Sequence, residues 1–151
     1  MKAMGIIIVI ASVVTVGCLS FLQIVLACKM YAVDHNEAFP PSFLALTNYV
    51  NDARLFVCPG SNHKPGSLQT VDTWTDYVLV TNLSEQSPAC SVLAYCKAGN
   101  HRGQVGVTGI NVAHVDGAVE WVPAVDFGKL TCDVQKMSRI NNREPQPPPG
   151  N

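Results

Sequence analysis

Charge is scarce in this chain, and the scarcity is local. Only 14% of the 151 residues are Asp, Glu, Lys or Arg, and none of these lies between Ala3 and Cys28. With a formal net charge of -1, the chain offers no basic surface for nucleic acid. Catalytic signatures are missing too. No serine has a G-x-S-x-G setting, no glycine loop matches a phosphate cradle, and no paired carboxylates mark a cleft, so an enzyme is not expected. The four histidines, His35, His63, His101 and His114, never take an HxxxH or HExxH spacing. No two cysteines form a CxxC pair, which counts against a zinc knuckle.

What is present begins with the uncharged run itself. Residues 3–28 exceed the roughly 20 apolar residues needed to cross a hydrocarbon core. The run has no proline, and a helix satisfies its own backbone groups in lipid. The expectation is an envelope protein whose lipid partner is the bilayer. It divides into an apolar helix over residues 1–36, a globular domain over 37–136 and a Pro-rich extended tail over 137–151. Lys2 and Lys29 flank the run almost evenly, so orientation is only weakly specified. Val25-Leu26-Ala27-Cys28 offers an alternative, a lipoprotein-type box whose cleavage would leave a lipid anchor at Cys28.

Beyond the run lie Cys58, Cys90, Cys96 and Cys132, an even number that suits a disulfide framework in an oxidising compartment. Cys90 and Cys96 are six residues apart on an expected strand, too far to bond each other if extended. Each would then seek Cys58 or Cys132, and the connectivity stays open.

Periodicity supplies the elements. Leu22, Leu26, Met30 and Val33 recur at helical spacing, predicting a helix whose Leu26, Met30, Tyr31 and Val33 pack on a sheet. Phe39-Pro40-Pro41 ends that helix. Ser42 is expected to cap a short second helix from Phe43 to Val50. Leu55 to Cys58 reads as a buried strand closed by Pro59-Gly60, followed by a loop from Ser61 to Leu68. Further strands are expected from Trp74 to Thr81, Ser91 to Tyr95, Gly106 to Ala113 and Ala118 to Val122. The last two form a hairpin through Asp116-Gly117. The fold class is therefore α+β, a long N-terminal apolar helix packed on a small antiparallel sheet.

Five segments in order carry a family resemblance. They are Gln23-Ile-Val-Leu-Ala-Cys-Lys-Met-Tyr-Ala-Val-Asp-His-Asn36 with Phe39-Pro40; Leu55-Phe56-Val57-Cys58-Pro59; Trp74-Thr-Asp-Tyr-Val-Leu-Val80; Val92-Leu-Ala-Tyr95; and Gly99-Asn100-His101 with Asn111-Val-Ala-His-Val-Asp116-Gly117. Together they resemble the type IV pilin-like and type II secretion pseudopilin-like proteins of planctomycetes and verrucomicrobia. The resemblance implies a pilin-like fold and a homopolymer built with inner-membrane assembly machinery, placed in the inner membrane or in a cell-surface filament. The polymerising helix would present Ile6, Ile7, Ile8, Val9, Ile10, Val13, Val14, Val16, Leu19, Phe21 and Leu22. Some pseudopilins hold calcium near this sheet, which makes His101, His114 and Asp116 candidate ligands, although calcium wants six to eight oxygens. No other cofactor is expected. The chain departs from the family in lacking the leader Gly-Phe-Thr-Leu-Ile-Glu after Gly5. Fourteen residues separate His101 from Asp116, where the family motif has nine. Two readings follow: a filament subunit, or a membrane- or lipid-anchored monomer whose domain binds an extracytoplasmic partner.

Overall fold

The computed structural model describes residues 19–97, 99–100, 109–123 and 126. Ile6 to Val16 of the expected polymerising helix, His101, Cys132 and the 137–151 tail lie outside these residues.

Helix α1 occupies residues 19–34 and carries apolar side chains on two faces. One face, built from Phe21, Ile24, Val25, Ala27, Cys28 and Ala32, is buried. The helix ends where the amides of His35 and Glu37 both donate to the carbonyl of Ala32, at 3.2 and 2.8 Å. Asn36 and Glu37 adopt φ of 52° and 68°, the left-handed conformation that closes many helices. His35 Nδ1 donates to the Tyr31 carbonyl at 2.8 Å, so the polar helix end satisfies a terminal carbonyl.

The next segment departs from expectation twice. Leu44–Asn48 is a 3-10 helix rather than an α-helix, and Ser42 does not cap it. Asp72 takes that role from a distant part of the chain, accepting from the amides of Phe43 and Leu44 at 2.8 and 3.2 Å. Ala53–Phe56 is also a 3-10 helix, not the start of a strand, because the Asp52 side chain accepts from the Arg54 amide and winds the turn. Val57 beyond it is extended, with φ of -103° and ψ of 128°, but no strand forms there.

Trp74 ends a single helical turn, α2 (Val71–Trp74), instead of opening a strand. Its indole N–H donates to the Ser67 carbonyl at 2.8 Å. The strands are β1 (Tyr77–Leu79), β2 (Val92–Cys96), β3 (Gly109–His114) and β4 (Val119–Pro123). They form one antiparallel sheet in the order β1-β2-β3-β4. Tyr77 faces Cys96 across the first pair, and Asn111 faces Trp121 across the last. The β3–β4 turn is the expected one: Gly117 has φ of 91°, and Asp116 Oδ1 accepts from the Ala118 amide at 2.9 Å.

A helix packed on a four-stranded antiparallel sheet thus makes an α+β fold, with Phe21 stacked on Tyr77 between the layers. Two expectations about α1 are corrected. Leu22, Leu26, Met30 and Val33 do not face the sheet: Leu26 is 59% exposed, Met30 48% and Val33 83%, and only Tyr31 is partly buried against the core. Both faces are apolar, so spacing alone does not choose between them. The sheet takes the face bearing Ala27, Cys28 and Ala32, whose small side chains let the helix backbone approach closely. Phe21, assigned to the polymerising face, is instead wholly buried in the domain. The last third of the uncharged run therefore belongs to the globular core. Among the described residues no helix is long and apolar enough to cross a membrane.

Candidate functional site

The face of α1 turned away from the sheet presents Leu19, Leu22, Leu26, Met30 and Val33 to solvent. Beside it runs an open groove of about 340 Å³, lined by Gln23, Leu26, Ala27 and Met30 of α1 and by Tyr49 to Asp52 and Leu55 opposite. The Tyr49 hydroxyl, on the groove's far side, donates to Asp34 Oδ2 at 2.8 Å. That hydrogen bond pushes the Tyr49 phenol above its ordinary range. Lys29 is drawn elsewhere, to Glu85 at 2.6 Å and over the Phe39 ring at 5.3 Å. The exposed stripe from Leu19 to Val33 is therefore uncharged and mostly apolar, with the exposed amide of Gln23 set among its aliphatic side chains.

A second constellation is polar and centres on Asp76, which is 1% exposed. Its carboxylate accepts from the Cys58 amide at 2.9 Å, from Ser61 Oγ at 2.5 Å and from His63 Nδ1 at 2.5 Å. Its backbone is held as well, since its amide donates to the Phe56 carbonyl at 3.0 Å and its carbonyl accepts from the Lys97 amide at 2.8 Å. Asn100 Nδ2 adds a further bond to that carbonyl at 2.9 Å. Ser61 and His63 both donate to one carboxylate, so the serine proton is not handed to the imidazole as nucleophilic catalysis requires. The cluster is a structural hub fastening the 57–63 segment to the edge of the sheet. Sequence reasoning left His63 in an unassigned loop. The available signal was Asp76 itself, an acid leading into the apolar stretch Tyr77-Val-Leu-Val80.

Of the candidate metal residues, His114 and Asp116 have other partners. His114 donates from Nδ1 to the Cys90 carbonyl at 2.9 Å and pairs through Nε2 with Glu120 Oε1 at 2.8 Å. Both ring nitrogens are therefore already engaged by protein oxygens. Asp116 serves the hairpin turn. Among the described residues no group of three or more His, Cys, Asp or Glu side chains is placed to hold a metal ion.

Of the disulfide candidates, Cys90 is disulfide-bonded, to a partner outside the described residues. Cys58 and Cys96 are both buried, with their sulfurs 3.8 Å apart.

Comparison with family models, with characterised proteins and with solved structures finds no match for this chain.

Proposed function

We propose that this chain is the structural subunit of a type IV pilus-like or pseudopilus-like filament, and that its pilin-like domain assembles through α1. The reading rests on the five large apolar side chains left uncovered on α1, on the side away from the sheet. An exposed and mostly apolar helix face of this kind, broken by Gln23, is characteristic of an interaction site. It runs directly into the uncharged segment from Ala3, so the sequence supplies apolar surface on both sides of Leu19. A neighbouring copy offers the same stripe, and packed apolar helices suit a filament core as they suit lipid. Ile6 to Val16 would extend that core, and the subunit would await assembly in the inner membrane.

The fold also favours keeping the helix. Cleavage before Cys28 would strip Phe21, Ile24, Val25 and Ala27 from the core. An intact mass that includes residues 19–27 is expected for the natural protein, and a mass starting at an acylated Cys28 would remove the reading.

Electron microscopy of sheared cell-surface material tests the polymer itself. Regular filaments containing the chain are expected, and Leu26→Glu with Met30→Glu should abolish them while leaving the melting temperature nearly unchanged. Protein recovered only as a detergent-soluble monomer would favour the anchored binding module and overturn the filament.

A further inference from the structure

Cys58 and Cys96 are brought together by backbone contacts rather than by chance packing. The Cys58 amide donates to the Asp76 carboxylate at 2.9 Å. The next residue, Tyr77, faces Cys96 across the β1–β2 ladder. Two consecutive residues thus hold both cysteines, and the sulfurs meet 3.8 Å apart in the sealed core. A disulfide needs the sulfurs about 2 Å apart. The remaining approach is short enough for two side chains and the short 57–63 segment to supply.

We propose that Cys58 and Cys96 are a redox pair that closes into an internal disulfide, distinct from the one at Cys90. The oxidant is a disulfide, either a small molecule of the glutathione class or the active disulfide of a dithiol oxidase. One cysteine thiolate attacks a donor sulfur, forming a mixed disulfide and expelling one donor thiolate. The other cysteine, as thiolate, attacks the protein sulfur of that mixed disulfide and expels the second donor thiolate. Two electrons pass from the cysteine sulfurs to the donor, and the two protons the cysteines lose end on the departing thiolates.

The same geometry dictates when this happens. The Cys96 thiol donates to the Cys58 sulfur in a buried setting, and both effects push it well above the ordinary thiol range. Only the thiolate exchanges, and neither sulfur is open to solvent. Closure therefore belongs to folding, or to a local opening of the 57–63 segment, and the folded dithiol is slow to react. The bond would join residues 38 apart in sequence and restrict the unfolded chain accordingly.

The test is oxidative refolding of the full chain in oxidised glutathione, beside an untreated folded sample. Thiols are then alkylated in denaturant and the chain is digested without reduction. The expected result is a peptide linking Cys58 to Cys96, lighter by two hydrogens than its reduced parts. The melting temperature should rise by about 10 °C, the size typical of a disulfide in a small domain. Cys58→Ala with Cys96→Ala should lose that rise, with Cys90 still bonded. If the double variant does not fold, peptide mapping of the parent chain decides alone. Alkylation at both Cys58 and Cys96 after oxidative refolding would overturn the proposal, as would either cysteine linked to another partner.

Discussion

The Phe21 ring lies on that of Tyr77, with centroids 4.9 Å apart and planes inclined by 21°. One ring comes from α1 and the other from the edge strand β1, and both are buried. Truncating a buried aromatic removes its transfer energy and leaves a cavity, so Phe21→Ala is expected to cost about 3–5 kcal/mol. Urea unfolding of the full chain measures this. An unchanged midpoint would mean that α1 does not share the core of the sheet.

Met30 and Leu26 make the converse case. Their side chains project from the face of α1 turned away from the sheet. Met30→Ala is expected to change the unfolding free energy by no more than about 0.5 kcal/mol, as for most exposed positions. A loss of several kcal/mol in the isolated chain would restore these residues to the helix–sheet interface.

Asp76 should tolerate little. Asp76→Ala removes the acceptor for the buried Cys58 amide, and leaving one such donor unsatisfied costs about 1–3 kcal/mol. Ser61 and His63 lose the same partner, so the 57–63 segment should loosen together. Amide hydrogen exchange reports this directly: the Cys58 amide should exchange faster in the variant. Unaltered protection would show that the carboxylate does not hold the segment.

Tyr77 carries a prediction about alkali. Burial pushes its phenol well above the ordinary value of 10.0, with Cys96, Cys58 and Asp76 adding to the shift. The native state therefore holds a proton that the unfolded chain gives up at about that ordinary value. The stabilisation is complete below pH 10 and declines as pH rises further, because the unfolded state then binds fewer protons. Tyr77→Phe keeps the stacked ring and removes the titration. With the thiols held reduced, the variant should match the parent near neutrality and lose less stability above that pH. Identical alkaline profiles would refute the assignment.

The strands and the last turn were legible because their signals are local. Alternating apolar residues and Asp116-Gly117 need no distant partner to be read. Pro40 and Pro41 signal an end to α1, but the helix stops at residue 34, where Asn36 and Glu37 turn left-handed before the prolines are reached. The failures share a different cause, since each was decided by a specific contact, near or far along the chain, that hydrophobic spacing does not reveal. Leu55-Phe56-Val57-Cys58 is apolar enough for a strand, but Asp52 winds its first half into a turn. Ser42 looked like a cap until Asp72 supplied the acceptor. On α1, two apolar faces competed, and the sheet took the one with small side chains. The Asp76 hub joins residues from three separated segments, which no spacing rule anticipates.

The order β1-β2-β3-β4 means that every strand pairs with its neighbour in sequence. Such a meander can zip up through short loop closures, whereas α1 must reach across some 56 residues to bring Phe21 to Tyr77. The helix is therefore expected to dock after the rate-limiting barrier. Stopped-flow chevrons of Phe21→Ala should show the loss of stability mostly as faster unfolding, with refolding almost unaltered. The sheet would then set how quickly the domain forms, and α1 how long it survives.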